Sequence, residues 1–466
     1  MGGLSLGGCA GWQPLVGPDY QRPELAMPAA WSSGQATEVA ALGQWWQQLG
    51  DPQLDQLVSA ALANSLDLRA AQARLRQARA SRALAVAGLA PTLGAAAGAT
   101  RSKASAVLGG NAAVNNVYTA NFDASWELDL FGGTRRGIEA ATADQAASQA
   151  GQNNTRVSLV AEVARNYVEL RSTQKRLVIA RANLASQSET LEITQWRAQA
   201  GLATSLDVEQ ARTTREQTRA SIPDLQIGLG AAENRLAVLV GQAPGALQQQ
   251  LATVQPLPVV PASLASGIPA DILRQRPDLV AAERTLAAET ARVGQKMAAR
   301  YPSLTLDGSF GWQAYSFGAL GGADALVRSI SGTLAATLFD GGRLRTQVEI
   351  QSAVQEQALI AYENSVLTAL EEVENALVAH AVGRERAAAR REAAEAARNA
   401  ALLARNLYES GLTDFQKVLD TERTRLSAED SLATAEAGVL TSLIQLYKAL
   451  GGGWEATPVR HIEGKA

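Results

Sequence analysis

Cysteine is almost absent. A single one, Cys9, rules out any disulfide within one chain. Histidine is nearly as scarce: His380 and His461 lie far apart, and no Cys/His spacing of a metal site accompanies them. No Gly-x-x-x-x-Gly-Lys loop is present to cradle a phosphate. The many carboxylates are scattered among Arg and Gln, with no pair set apart for acid–base work. Enzyme chemistry, a bound metal and a resident cofactor are therefore not expected. Charge of one sign is also lacking. With 42 basic against 45 acidic residues the net charge is −3, which leaves no broad basic field for nucleic acid. No run of eighteen apolar residues occurs, so no membrane-spanning helix is expected.

Alanine, by contrast, is abundant, and it favours helix and lets helices approach closely. Val160, Val163, Tyr167, Leu170, Gln174 and Leu177 step by three and four; Leu177, Leu184 and Leu191 step by seven. Val366, Leu370, Val373 and Leu377 repeat the pattern. This is a coiled-coil-like seam in helices far longer than a compact globule needs.

One stretch breaks the helical rule. From Tyr118 to Leu130 every even position is apolar (Tyr118, Ala120, Phe122, Ala124, Trp126, Leu128, Leu130) and every odd one polar. A period of two predicts a strand with one oily and one wet face. Residues 302–314 do the same, with Leu304, Leu306, Phe310 and Trp312 on the oily side. Residues 326–339 alternate less cleanly, Arg328 interrupting the apolar side. Residues 92–105 are mostly Ala and Gly, and read as a strand only by symmetry.

That symmetry is an internal duplication. Asp67 and Asp278, and Pro91 and Pro302, share an offset of about 210 residues. Leu130-Phe-Gly-Gly-Thr-Arg-Arg136 resembles Leu338-Phe-Asp-Gly-Gly-Arg-Leu-Arg345, with one extra residue in the second. Gly201-Leu202 pairs in the same way with Gly411-Leu412. Each half predicts a helix, two strands (about 92–105 and 117–131; about 302–316 and 326–339), a very long helix and a return helix. The expected divisions are a residual signal at 1–9, an extended segment at 10–52, a first repeat at 53–240, a linker at 241–270, a second repeat at 271–450 and a tail at 451–466.

The strands are long enough to cross a bilayer, which takes about 9–11 residues. Strands in lipid must close into a barrel, and the smallest barrels have about eight. Four strands per chain therefore need partner chains. Three copies give twelve. Two give eight, narrow for a pore. The expected fold class is α+β, with a membrane barrel completed by further copies of the chain.

Several motifs now combine. Leu6-Gly7-Gly8-Cys9-Ala10 looks like a bacterial lipoprotein site, although the segment before it lacks a basic n-region, so the signal's start is expected upstream or trimmed. Lipid on Cys9 would anchor the chain without spanning the membrane. With Val16-Gly-Pro-Asp-Tyr20, Trp45-Trp-Gln-Gln-Leu-Gly-Asp-Pro52, Arg276-Pro-Asp-Leu279 and Phe339-Asp-Gly-Gly-Arg343, the sequence resembles the TolC-like outer-membrane factor family, in its lipoprotein branch serving multidrug efflux. The resemblance implies a homotrimeric, lipid-anchored duct in the outer membrane: an α+β fold in which a membrane barrel completed by trimerisation continues into a long helical tunnel through the periplasm. It implies two partners, a periplasmic adaptor and an inner-membrane transporter of RND type. Tyr118, Phe122, Trp126, Leu128, Leu304, Leu306, Phe310 and Trp312 would face lipid. Asp207, Tyr408, Asp420 and Arg423 would gate the periplasmic end. The turns Gly201-Leu202 and Gly411-Leu412 would meet the adaptor. Some members carry a second acid where Lys417 stands, so a doubled carboxylate ring is not expected here. A trimeric surface adhesin with four strands per chain is the alternative, but its strands cluster at one end of the chain, whereas here two pairs stand far apart.

Overall fold

The computed structural model describes residues 15–24, 31, 42–103, 107, 114–260 and 270–454, with side chains left out for 270–272. Cys9 and His461 lie outside them. The elements run α1 (Pro52–Asn64), α2 (Leu66–Ala87), β1 (Thr92–Lys103), β2 (Val114–Leu128), α3 (Gly133–Gln199), α4 (Ser205–Leu239), α5 (Gln248–Leu251), α6 (Pro277–Ala298), β3 (Ser303–Ala314), β4 (Leu326–Ala335), α7 (Arg343–Glu409) and α8 (Phe415–Ala449). Two compact units emerge, and they are not the two repeats. One comprises Met1–Glu24, Arg74–Gln149 and Ala281–Glu363; the other comprises Leu25–Ala73, Ala150–Val280 and Asn364–Ala466. Each draws on both halves of the duplication.

The first unit contains the sheet. Its strands are antiparallel in the order β1-β2-β3-β4. Register aligns the oily residues: Phe122 faces Phe310, Trp126 faces Leu306, and Leu128 faces Leu304. β1 lies against β2 with Ala95 opposite Phe122 and Ala97 opposite Ala120. Its weak pattern thus forms a strand because small residues suit a neighbour carrying large rings. β2 stops at Leu128 rather than 131 because Asp129 turns away to cap α3, accepting from the backbone N–H of Thr134 (3.1 Å) and Arg135 (2.9 Å). In the second half Asp340 does that work, accepting from Gly342 and Leu344, both at 2.9 Å. One cap comes from before the Phe-Gly-Gly turn and the other from inside it. That shift explains the extra residue, and β4 correspondingly ends at Ala335 instead of 339.

An N-terminal strap crosses this unit. The Arg136 side chain, 2% exposed, donates to the carbonyls of Val16 and Gly17 (both 3.2 Å) and to Asp19 (2.7 Å). Tyr20 donates to Glu283 at 3.1 Å, and Arg22 pairs with the same carboxylate at 3.3 Å. Gly17 lies so close to α6 that an added Cβ would stand 2.3 Å from the Gly294 Cα.

The second unit is held by a core in which Trp45, Trp46, Leu54, Leu57 and Val58 pack on Val160, Val163, Tyr167 and Leu170 of α3 and on Leu440, Leu443 and Tyr447 of α8. Trp45 stacks on Tyr447 with centroids 5.0 Å apart. Asp51 caps α1, accepting from Gln53 N and Leu54 N, and its other oxygen accepts from the Tyr167 hydroxyl at 2.7 Å. Ser65 separates α1 from α2, so the single helix expected to open the first half is two. The Arg276-Pro-Asp motif is a fastener. Arg276 chelates Asp278, reaches Glu372 of α7 at 2.7 Å, and donates to the carbonyl of Ala449 at 2.7 Å, satisfying an acceptor in the last turn of α8.

The seam expected on α3 is buried from Val160 to Leu177. On α7 it is kept at Val366 and Val373, but Ala369 and Ala376 take the places expected of Leu370 and Leu377. Val366, Ala369, Val373 and Ala376 are buried, while Leu370 and Leu377 are only half-buried. Small side chains take the line of closest approach and the leucines flank it. Gly17→Val adds a side chain at φ +96 against backbone. It should lower the melting of the purified protein by about 1–3 kcal/mol per chain, measured by thermal unfolding; an unchanged transition would remove the strap from the folded core.

Candidate functional site

The two helical turns of the second unit, 200–204 and 410–414, are built alike. In the first, Leu202 N donates to Arg197 O at 2.8 Å; in the second, Leu412 N donates to Leu407 O at 2.8 Å. These are Schellman closures, with Gly201 (φ +75) and Gly411 (φ +74) in the left-handed conformation they demand. The return helices then start on caps: Thr204 with Asp207 in a reciprocal capping box, and Asp414 accepting from Lys417 N at 3.0 Å. Each tip lifts one leucine into solvent, Leu202 at 69% and Leu412 at 75% exposure.

Behind the tips lies a layer of polar residues. Arg197 covers the Tyr408 ring at 4.4 Å and donates to the Tyr408 carbonyl at 2.7 Å, closing the last turn of α7. Tyr408 also meets Phe415 edge-on. Its hydroxyl is buried without a hydrogen-bond partner among the described residues. Two helical turns beyond, Glu422 is buried and accepts from Thr190 at 2.8 Å. Asn183, buried on the same face of α3, donates to Glu429 and accepts from Arg425. Arg176 pairs with Asp430, and Lys175 with Glu436. Burial pushes the Glu422 carboxyl above its ordinary range; the Thr190 hydrogen bond and the charges of Arg425 and Arg405 oppose that without cancelling it.

The four residues singled out for gating are not drawn together within one chain. Asp207 spends its carboxylate on Thr204, with Oδ2 2.8 Å from both the backbone N and the hydroxyl. Tyr408 belongs to the core of the tip. Asp420 is exposed and accepts from Gln416 at 3.0 Å. Arg423 is exposed and donates to Thr214 at 3.2 Å. Arg197, Thr190 and Glu422 went unremarked in the sequence. A signal for Glu422 was present: Phe415, Val418, Leu419 and Glu422 form one helical stripe, and the first three are apolar.

In the sheet, Tyr118, Phe122, Trp126, Leu128, Leu304, Leu306, Phe310 and Trp312 share one face by register and alternation. Phe122 is 50% exposed and Phe310 47%, so nothing among the described residues covers this face fully. The Trp126 indole N–H donates to Leu89 O at 2.9 Å. The opposite face carries Asp123, Ser125, Glu127 and Asp307, with Ser125 donating to Asp307 at 2.7 Å. No helix among the described residues is long and apolar enough to cross a membrane, and no group of described side chains is placed to hold a metal.

The family model for outer membrane efflux proteins matches twice, over residues 57–242 and 268–452. The chain belongs to the outer membrane efflux protein family. Its duplicated halves are the two matches. It is 34% identical to the pyoverdine export outer membrane protein OpmQ of Pseudomonas putida over 94% of each chain. It is 33% identical to nodulation protein T of Rhizobium leguminosarum bv. viciae, over 96% of this chain and 92% of that one. The solved outer-membrane channel OprN superposes with a TM-score of 0.89 at 37% identity, covering 94% of this chain and 99% of that one. The outer membrane efflux protein is thus a channel and not an enzyme, with four strands per chain in a barrel completed by trimerisation and a helical tunnel beyond. The adhesin alternative is displaced. Such proteins work with an adaptor and an inner-membrane pump.

The buried Glu422 gives a pH signature. Its folded-state pKa lies above the unfolded value, so the ionised form weighs against the fold at neutral pH. Stability contributed by this residue rises as pH falls from neutral through the folded pKa, and levels off below the ordinary value of 4.5. Glu422→Gln should therefore melt higher than the parent at pH 7 and no higher at pH 4; a variant that melts lower at pH 7 would mean the carboxylate is favoured as an ion.

Proposed function

We propose that this chain forms the lipid-anchored exit duct of a tripartite efflux system driven by an RND-type inner-membrane transporter. The observation that carries the reading is the split sheet: aromatic and aliphatic residues on one face, acids and hydroxyls on the other, in one continuous register. In a closed barrel the first face meets lipid and the second lines water. Cys9, in its Leu-Gly-Gly-Cys setting, supplies the anchor through covalent lipid. The export and efflux roles carried in the names of the related proteins support small-molecule cargo.

The exposed Leu202 and Leu412 tips are the adaptor contacts in this reading, each a rigid apolar knob on a closed helix end. Asp420 and Arg423, left exposed and without an ion pair between them, are available to neighbouring chains around the axis. Rings of such charges close a narrow passage and favour one sign of ion when it opens. Lys417 sits one turn away on the same helix and moderates the acidic ring. Asp207 and Tyr408 shape the gate through the tip: one caps α4, the other seats Arg197.

Replacing Asp420 and Arg423 together by Ala should raise single-channel conductance of the trimer in a planar bilayer by about twofold or more. An unchanged conductance would remove them from the gate. Phe122→Asp with Trp126→Asp should abolish assembly, because each carboxylate then stands on the face that meets lipid. Normal outer-membrane trimers of that variant would mean the sheet faces are reversed.

A further inference from the structure

The four strands contain six charged residues, and the faces divide them completely. Asp123, Glu127 and Asp307 stand on the hydroxyl-rich face. Arg101, Lys103 and Arg328 stand on the apolar face: Arg101 is in register with Asn116, Lys103 with Val114, and Arg328 with Phe310. All three cations are exposed, and the apolar face holds no acid within the strands. They are also confined to one end. The sheet joins α3 through the end marked by Leu128, Leu304 and Thr92. Lys103 and Arg101 are the last two apolar-face positions of β1 at the other end, and Arg328 is the second of β4. Aromatics collect there too. Tyr118 meets Phe317 edge-on, Trp312 meets Phe310, and Tyr315 and Phe317 are exposed. Trp126 marks the opposite end of the band.

A cation on the lipid face is costly at mid-bilayer and nearly free at the interface, where phosphate can meet it. Placement at the end away from the helices puts these three at the outer leaflet. Their strands matter as well. β1 and β4 are the two edges of the sheet, so trimer closure sets β4 of one protomer beside β1 of the next. Arg328 then shares a seam with the Arg101–Lys103 pair of the adjoining copy. Three seams result, each with three cations on an apolar wall.

We propose that each seam is a binding site for the phosphates of the outer leaflet's anionic glycolipid. It rests on the face assignment made above for the channel. Apolar strand residues receive the acyl chains, the aromatic girdle marks the headgroup level, and the cations hold the phosphates across the joint between protomers. The lipid thereby bridges the subunits.

The test uses the intact trimer in nanodiscs containing diphosphorylated lipid A or its dephosphorylated counterpart, with retained lipid counted by native mass spectrometry. The parent should retain the phosphorylated form about tenfold better, and R101Q/K103Q/R328Q should lose that preference. Asp123→Asn on the other face should keep it. Equal retention of the two lipids by the parent, or full preference in the triple variant, would overturn the site. Single-channel ion selectivity separates this from an error in the faces. If the triple variant alters selectivity while Asp123→Asn does not, the cations line the lumen and the face assignment itself fails. Should the triple variant not assemble, Arg328→Gln alone must lower the preference and Arg328→Lys must preserve it.

Discussion

Everything in this protein follows from an edge that cannot stay open. β1 and β4 are the edges of the sheet, and each carries a row of backbone N–H and C=O groups that no strand among the described residues pairs with. In water such edges are a hazard; in hydrocarbon each unmet group costs several kcal/mol. One protomer cannot curl four strands into a closed barrel, so the sheet is complete only among copies. Trimerisation is thus a condition of membrane residence, and it explains why a strand as plain as β1 suffices. Its alanines and glycines need only complete a ladder whose large side chains come from β2 and β3.

The same economy of side chains governs the helices. Alanine on the line of contact of α7 allows close approach, while the leucines beside it remain half-buried. Toward the tips the stripe turns polar, with Asn183 and Thr190 of α3 bonded to Glu429, Arg425 and Glu422 of α8. A polar seam holds register through hydrogen bonds that have specific partners, where an oily one tolerates sliding. It is a sound material for helices whose ends must keep one arrangement closed and permit another.

Much of this was legible beforehand. Alternation at 118–130 identified the strand and its faces, and the shared offset of Asp67/Asp278 and Pro91/Pro302 exposed the duplication. Caps were harder. The Phe-Gly-Gly turns looked equivalent, yet Asp129 caps one helix and Asp340 the other from different sides of the turn. Asp207 drew attention as a charge and proved to be half of a capping box. Side chains within hydrogen-bonding reach of their own backbone are easily mistaken for free ones, because spacing alone does not tell which atom they satisfy.

The sequence by itself determined the class of the molecule. Period two and period three-and-a-half are local properties, written in the order of residues, and they dictate which face of a strand or helix is oily. The tertiary structure decided which oily faces meet and which charges are left over. Burial of Glu422 beneath Thr190 and the seat of Tyr408 under Arg197 depend on register between segments hundreds of residues apart, and the sorting of Arg101, Lys103 and Arg328 onto the apolar face at one end depends on the register of each strand with its neighbour. Register is a relation between chains of contacts, and no single segment contains it.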